Sequence, residues 1–460
     1  MAKENMIEKS GNYKKQLAPG ALGLPELYAI SLGYVIGAGI VTYVGPALEM
    51  TGRSAWLAYL VAILLGLLIN LPAVFVTSTV RMGGGPYSML ATMVGKKIAG
   101  IYSVMFLALL IQMALFGTAI GMYINSLWPQ IPVKWAGIAV LTFFYVTNLF
   151  GIDAMAKLQK FMTWILIAAF LFFIITGIIK MDYSVMNFTD SEFITNGMAG
   201  FIAAVFLFIN STNGYLMTMS YGKSAKNAQR DIPKAILLCV PTFIVLYCGV
   251  AIVYGGNMSL EGVGSTTLVN VAMKTLNPFL FVVFMVGGPF MAITSTMNSA
   301  MVNNTIPIAQ SCKDGWFPIS LADENKHGAS YKIMTIIYLF GVTPLLFDLK
   351  ITQLAMIVNL ALASHSFLYT IAYWKMPDIY SEAWAKSKFH VPIGLYRVIV
   401  VLAFLGWGAV FLYSLRSVST LVLVLTLGLF IFAIAYGIIR SKDSNINIKV
   451  SIWTEQKEET

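Results

Sequence analysis

Residues 37–40 read Gly-Ala-Gly-Ile and lie in the middle of the stretch SLGYVIGAGIVTYVGP, residues 31–46. The flanking residues are apolar enough for a helix that crosses a membrane, yet glycine lowers helix stability by about 1 kcal/mol relative to alanine. A glycine pair in a membrane helix can simply let neighbouring helices approach closely. Because Gly33 and Pro46 interrupt the same segment, we favour a helix that is broken near its midpoint.

A second interrupted segment follows 175 residues later, in the stretch FLFINSTNGYLMTMSYG. Its middle holds five polar or glycine residues in succession: Asn210, Ser211, Thr212, Asn213 and Gly214. Polar groups at membrane depth are costly unless they face water, a ligand or protein, and irregular backbone is tolerated there only where it lines a cavity or is buried in protein. The two segments therefore predict one shared cavity.

The composition predicts an all-α polytopic membrane protein. Of the 460 residues, 58% are hydrophobic and 11% are charged, and the mean hydropathy is +0.78, whereas a soluble domain carries about a quarter charged residues. Apolar runs of about 20 residues cross a bilayer core. We predict twelve such spans, at residues 25–48, 55–79, 98–127, 133–150, 157–180, 197–221, 234–256, 278–311, 331–347, 351–375, 393–414 and 418–440.

The net charge of +10 is distributed as a topology signal rather than as a nucleic-acid site. Of the 30 Lys and Arg residues, 24 fall on one side of the predicted topology. The six on the other side are Arg53, Lys134, Lys180, Lys274, Lys350 and Arg416. By the positive-inside rule, both termini are predicted to be cytoplasmic, in a multi-pass protein of the plasma (inner) membrane.

Paired interruptions at corresponding places in two halves of a chain are typical of transporters built from inverted repeats. Residues 25–180 would form the first repeat and residues 197–375 the second, each with five spans. The last two spans, at 393–440, would be appended, and residues 1–24 and 441–460 would be solvated tails. Because each repeat has an odd number of spans, the second lies upside down, and the two breaks meet near the membrane midplane.

The chemistry of two meeting breaks suits a zwitterion. A half-helix that starts after the Gly-Ala-Gly turn presents free N–H groups and a positive dipole end to an anion. Half-helices that end near residues 35–37 and near residues 208–210 present free carbonyls to a cation. An α-amino acid satisfies both sets, and a quaternary amine with a carboxylate would fit as well.

Four motifs carry a family resemblance. GYVIGAGI resembles the glycine-rich break in the first helix of the amino acid–polyamine–organocation superfamily, which includes the amino acid permeases. RMGGGPYSML (81–90) is similar to the turn after helix two, KNAQRDIPKAI (226–236) to the loop after helix six, and CKDGWFP (312–318) to the segment after helix eight. The likeness covers residues 25–440 and implies a five-plus-five inverted-repeat fold with discontinuous helices 1 and 6.

The expected substrate is a small neutral amino acid. We expect backbone amides of the first break to bind its carboxylate, carbonyls of the second break to bind its ammonium, and the residues that follow to line the side-chain subsite. The three sets are Gly37, Ala38, Gly39 and Ile40, then Phe208, Ile209 and Asn210, then Ser211, Thr212, Asn213 and Gly214. The second break carries no charge and Leu216 stands where the family often has an acid, which disfavours arginine, lysine or a polyamine.

The coupling ion is predicted to be sodium. The segment AITSTMNSAMVNN (292–304) supplies Thr294 and Ser295, whose hydroxyls would join carbonyls of Gly33, Ile36 and Met291 in an oxygen shell typical of a hard cation. The spacing resembles the sodium site of related five-plus-five transporters.

Protons are disfavoured as the coupling ion because few titratable groups lie at mid-span. The helix-five position at which proton-coupled members carry a lysine falls at Leu166, and His365 is predicted to be a neutral, hydrogen-bonded structural residue. Ion-independent exchange, a channel and an integral membrane enzyme are the alternatives, but no cofactor, metal cluster or nucleophile–base pair is indicated.

Overall fold

The computed structural model describes residue 20 and residues 22–212, 214–347, 351–449 and 451–454. These residues are mostly helical. The α-helices are α1 (Leu24–Val35), α2 (Ala38–Thr42), α3 (Val44–Thr51), α4 (Ala55–Thr79), α5 (Gly85–Met93), α6 (Lys96–Leu109), α7 (Gln112–Leu127), α8 (Val133–Asn148), α9 (Ile152–Ile179), α10 (Gly197–Ser211), α11 (Ala228–Phe243), α12 (Gly249–Asn257), α13 (Leu268–Thr275), α14 (Pro278–Met285), α15 (Met291–Asn303), α16 (Thr305–Lys313), α17 (Tyr331–Leu346), α18 (Ile351–Ile379), α19 (Ser381–Lys386), α20 (Ile393–Ser417) and α21 (Thr420–Arg440).

Within the described residues, seven helical stretches are long and apolar enough to cross a membrane, and two shorter apolar helices accompany them. The seven are Val44–Thr79, Lys96–Asn125, Met155–Ile179, Ala228–Asn257, Pro278–Lys313, Ile393–Arg416 and Thr420–Arg440. Large apolar side chains such as Phe279, Leu421 and Ile431 are exposed on them, as a lipid-facing surface requires. The protein is therefore an all-α, multi-pass membrane protein, and each predicted span falls on helix.

The first predicted span is broken at Ile36 and Gly37. Helix α1 ends at Val35, Ile36 is extended, and α2 begins at Ala38. Helix α2 passes into α3 through a bend at Tyr43, which keeps right-handed helical angles and donates its N–H to the Gly39 carbonyl at 3.0 Å. The break therefore leaves a helix that restarts at Ala38, two residues earlier than the predicted start after Gly39.

The second break follows α10. Helix α10 ends at Ser211, and the chain resumes after Gly214 as a 3₁₀ helix over Tyr215–Lys223. Gly214 has a φ of +126°, a conformation in which a side chain is strained, and an added Cβ would lie 2.5 Å from Cδ1 of Tyr34. This position requires glycine for both reasons.

Two π-helical turns interrupt long helices. One covers Ile244–Cys248 between α11 and α12, and the other covers Val286–Phe290 between α14 and α15. A π-turn inserts one extra residue into the helix, so the side chains that follow are rotated relative to an uninterrupted α-helix.

The C-terminal segment is packed, and the expectation of a solvated tail at 441–460 is wrong for its described part. Strand β1 (Arg81–Met82) pairs antiparallel with strand β2 (Ile452–Trp453). Ile446 and Ile452 are buried, and Lys449 donates its backbone N–H to the Asp314 carboxylate at 3.1 Å. Burial of these isoleucines offsets the cost of ordering the segment.

At the opposite end of α4, Arg53 is buried while its partner Glu192 is half-exposed. The guanidinium lies 2.7 Å from the Glu192 carboxylate, donates to the carbonyls of Gly255 and Met258, and stacks 4.1 Å above the ring of Tyr183. Arginine's planar fork can satisfy all these partners at once. Arg53 therefore connects its own loop to the segment that holds Tyr183 and Glu192 and to the end of α12.

Candidate functional site

The two breaks lie against each other. A Cβ added at Gly39 would come closer to Ser211 than the 3.0 Å that real Cβ atoms reach, so α2 and the end of α10 are in backbone contact. The hydroxyl of Tyr247 lies 3.0 Å from the carbonyl oxygen of Val35 and 3.0 Å from that of Ser211. One side chain therefore joins the chain ends on both sides of the interface.

Stacked aromatic rings pack against the junction, which is the contact between the two breaks. Tyr59 stacks on Phe208 with 3.5 Å between ring centroids and on Tyr247 with 4.8 Å, and its hydroxyl lies 2.9 Å from Ser211 Oγ. Sequence reasoning missed Tyr59 and Tyr247. The available signal was that a tyrosine in an apolar span needs a partner for its hydroxyl, although that does not identify the partner.

A cavity opens beside the junction. Its volume is about 100 Å³, against the ~10–15 Å³ that one water requires on the same measure. It is lined by Tyr34, Val35, Gly37, Gly39, Tyr43, Asn70, Gln112, Leu115, Phe116, Ser211, Gly214, Met217, Thr296, Val358, Leu362, His365, Ser366, Tyr369 and Trp407. None of these described lining residues is Asp, Glu, Lys or Arg.

Four of the predicted substrate-binding residues line the cavity: Gly37, Gly39, Ser211 and Gly214. Ile40, Phe208, Ile209 and Thr212 are buried outside its lining. Asn213 lies outside the described residues, as do the side chains of Ala38, Asn210, Tyr215 and Leu216.

The carbonyls of the second break already have partners. Ser211 Oγ donates to the Phe208 carbonyl at 2.8 Å, and Thr212 Oγ1 donates to the Ile209 carbonyl at 3.0 Å. Ser211 and Thr212 thus cap the end of α10. The Ile209 carbonyl also accepts from the Thr212 N–H at 3.1 Å, so both of its lone pairs are used.

Oxygen atoms from α1, from Ile36 and from α15 lie close together next to Gly37. Thr296 Oγ1 lies 2.9 Å from the Gly33 carbonyl oxygen, 3.1 Å from that of Ile36 and 3.1 Å from that of Ala292. Ser295 Oγ lies 3.0 Å from the Ala292 carbonyl oxygen and 3.4 Å from that of Gly33. We call these five oxygens the oxygen cluster.

The cluster differs from the predicted ligand set in two members, because Ala292 and Thr296 take the places expected for Met291 and Thr294. Thr294 does not face the break, because its hydroxyl donates to the Phe290 carbonyl of its own helix at 2.7 Å and lies 3.5 Å from that of Met291. Gly33, Ile36 and Ser295 are placed as expected. The π-turn at Val286–Phe290 lies just before these residues and changes which face points at α1.

A neutral amide faces Gly33 from α9. Gln159 Nε2 lies 3.4 Å from the Ala29 carbonyl oxygen, and a Cβ at Gly33 would collide with the same amide. Its Oε1 accepts from Asn298 Nδ2 at 2.9 Å. In the fifth predicted span, Gln159 and Thr163 therefore lie against the half-helix that precedes the first break.

His365 departs from its expected role. It is buried and lines the cavity. Among the described residues neither ring nitrogen has a hydrogen bond of normal geometry, although the ring interacts with the backbone of Met105. The expected hydrogen bond of this histidine is therefore limited to an interaction of poor geometry with the Met105 backbone.

A helix-built membrane protein with two broken helices around a buried cavity has the architecture of a transporter rather than of a soluble binding protein. The chain matches the family model described as amino acid permease over residues 22–453. It belongs to this family, within the amino acid–polyamine–organocation superfamily, and is thus a transporter and not an enzyme.

The relatives have different substrates in their names. The chain is similar to the vacuolar cationic amino acid transporter 2 of Arabidopsis thaliana (25% identity, 74% of this chain and 57% of the relative). It is also similar to the aromatic amino acid transport protein AroP of Escherichia coli (24%, 73% and 73%). A third relative is the branched-chain amino acid permease BcaP of Bacillus subtilis (22%, 78% and 82%).

Proposed function

We propose that the protein is a secondary active transporter that moves a small neutral amino acid across the plasma membrane by alternating access. The observation that carries the proposal is the cavity between the two abutting breaks, whose described lining holds no charged side chain. A zwitterion brings its own balanced charges, so it needs only backbone dipoles as partners.

The substrate carboxylate would bind the N–H groups of residues 37–40. A helix leaves its first N–H groups without intrahelical partners, and the helix that begins at Ala38 extends through α3. The ammonium would bind the carbonyls of Val35 and Ser211. Because the Tyr247 hydroxyl has one hydrogen to share between these two carbonyls, the pair keeps accepting capacity.

Competition between amino acids for binding tests whether the substrate is neutral or cationic. We expect small neutral amino acids to displace a labelled neutral amino acid, and arginine and putrescine to be ineffective. An extra cation in this cavity would find no described carboxylate, and an unpaired buried charge costs several kcal/mol. Strong inhibition by arginine would overturn the neutral specificity.

We propose sodium as the coupling ion, bound at the oxygen cluster. Five oxygens from Gly33, Ile36, Ala292, Ser295 and Thr296 form a hard-cation donor set with no titratable group among them. The amide of Gln159, rather than an ammonium, adjoins Gly33, which removes the obvious proton carrier from this place.

Two matched variants test the cluster. Thr296→Val deletes a cluster oxygen, whereas Thr294→Val makes the same change two residues away, at a hydroxyl that bonds only within its own helix. In proteoliposomes with a sodium gradient we expect concentrative uptake to be lost in Thr296→Val and kept in Thr294→Val. The reverse pattern would restore the originally predicted register.

The same proteoliposomes distinguish the alternatives. Accumulation driven by a pH gradient without sodium would contradict sodium coupling. Uptake that needs only internal substrate would favour ion-independent exchange, and rapid non-saturating flux would indicate a channel.

The proposal includes twelve spans, two inverted repeats at 25–180 and 197–375, and cytoplasmic termini. Support comes from the spacing of the two breaks and from the 24 basic residues on one side. In intact cells, an impermeant thiol reagent should label a single cysteine placed at Lys134 but not one placed at Lys388. Equal labelling from outside would refute the topology.

A further inference from the structure

The cavity has a wall that does not belong to either break. Helix α7 contributes Gln112, Leu115 and Phe116, and helix α18 contributes His365 among others. If the carboxylate and ammonium occupy the breaks, this wall is what remains to contact the side chain of the substrate.

Two side chains in the wall carry polar atoms that have no hydrogen-bond partner of normal geometry in the described part of the chain. Gln112 is 3% exposed; its Oε1 accepts from the Tyr34 hydroxyl at 3.3 Å, and its Nε2 has no hydrogen-bond partner among the described residues. His365 is 1% exposed, and both of its nitrogens lack a hydrogen bond of normal geometry. Even if one nitrogen is assigned to the backbone of Met105, the other remains.

Several other polar side chains in the lining make hydrogen bonds. Ser366 Oγ donates to the Leu362 carbonyl at 2.9 Å, and Asn70 Nδ2 donates to that of Gly66 at 2.7 Å. Ser211 and Thr296 are bonded within the junction and the oxygen cluster. A buried polar group left unpaired is destabilising, so the two unpaired groups on one wall call for a partner that arrives with the substrate.

The ring of His365 is held in place by apolar neighbours. Its centroid lies 5.4 Å from that of Tyr102 and 5.8 Å from that of Phe106. These contacts fix the ring without satisfying its nitrogens, as a preorganised binding group requires.

We propose that Gln112 and His365 form a subsite that hydrogen-bonds an uncharged polar side chain of the substrate, so that hydroxyl- and carboxamide-bearing amino acids are preferred over hydrocarbon ones of the same size. The inference rests on the proposed function and deepens it. Gln112 Nε2 donates to the side-chain oxygen, and the neutral imidazole of His365 accepts from, or donates to, the same group.

The discrimination follows from the unpaired atoms. A hydrocarbon side chain fills the same space but leaves both groups buried without partners, and sites built to hydrogen-bond a substrate reject analogues that lack the polar group far more strongly than hydrophobic pockets discriminate by size. We expect at least ~10-fold lower uptake of the hydrocarbon analogue.

The test uses near-isosteric pairs as probes. Purified protein in proteoliposomes takes up labelled threonine or valine, with glutamine against methionine as a second pair, at equal subsaturating concentrations. In the wild type we expect threonine and glutamine to exceed valine and methionine by ~10-fold or more. Gln112→Met and His365→Phe should each bring the ratios toward one, and His365→Gln should restore part of the preference.

Tyr373→Phe is the matched control. It removes another unpaired buried polar atom from the same helix, away from the cavity lining, so it should leave the ratios unchanged. Equal uptake within the pairs, or a preference that survives both Gln112→Met and His365→Phe in folded protein, overturns the inference alone. Absence of uptake for every amino acid tested overturns the proposed function and this inference together.

Discussion

The contact between Gly39 and Ser211 gives the sharpest test of the junction. The perturbation is Gly39→Ala, which adds one carbon where α2 meets the end of α10. The new Cβ would also lie 3.2 Å from Ser211 Cα and 3.3 Å from its Oγ, so a rotation of the serine side chain does not relieve the overlap. The two breaks must move apart.

The size of the effect follows from this geometry. Ordinary contact begins at 3.4 Å, so the backbones must separate by a substantial fraction of an ångström. Overpacking of this kind costs about 1–3 kcal/mol, which corresponds to ~5–150-fold in an equilibrium constant. We expect substrate affinity to fall within that range, because the carboxylate and ammonium sites lie on the two sides of the junction.

The assay is a double-mutant cycle in proteoliposomes, with uptake and thermal unfolding measured for each variant. Ser211→Gly removes the opposing Cβ. Gly39→Ala should therefore lower substrate affinity much less when it is introduced into Ser211→Gly than when it is introduced into the wild type. Gly408→Ala, whose new Cβ would meet nothing within 4 Å, is the matched control. Additive effects of Gly39→Ala and Ser211→Gly would refute the contact.

Three further variants probe the support of the site. Tyr247→Phe should lower uptake about fivefold while the protein stays folded, because one neutral hydrogen bond contributes about 1 kcal/mol; Tyr254→Phe in the neighbouring helix should not, and equal losses would disprove the role of Tyr247. Asp314→Asn tests pH dependence by thermal unfolding. Burial raises the pKa of the Asp314 carboxyl above its usual value, so the folded state binds the proton more tightly, and wild-type stability relative to the variant should rise as the pH falls from 7 toward 4; an opposite trend would contradict this. Arg53→Lys should lower the midpoint of unfolding despite the retained charge, since an ammonium cannot satisfy Glu192 and two carbonyls in one plane; an unchanged midpoint would show that the guanidinium contacts contribute nothing.

The sequence was sufficient to locate both breaks, because backbone irregularity in a membrane has few causes and leaves a local signature. Gly37 precedes the restart of the helix, and Gly214 has the positive φ that only glycine adopts readily. Helices also lie at every predicted span, since a long apolar run must satisfy its backbone internally.

The sequence could not predict the rotation of helices about their axes or the contacts between residues that are far apart in the chain. Met291, Thr294 and Ser295 have the same spacing as Ala292, Ser295 and Thr296, so periodicity alone cannot choose between them, and the deciding π-turn has no reliable sequence signal. The hydroxyl of Tyr247 meets Val35, a residue 212 positions earlier, and such a pairing depends on tertiary packing. The C-terminal strand was missed for the same reason.

Thr296 belongs both to the oxygen cluster and to the lining of the cavity. Its hydroxyl contacts the Gly33 and Ile36 carbonyls, its side chain lines the cavity, and an added Cβ at Gly37 would lie 2.5 Å from its Oγ1. A cation held by those carbonyls would restrain the same few residues whose N–H groups meet the carboxylate. Ligands that order one shared segment bind with positive coupling, because the second finds the ordering cost already met. An exchanger needs no such coupling, so the shared position of Thr296 favours sodium symport over exchange within the proposed function.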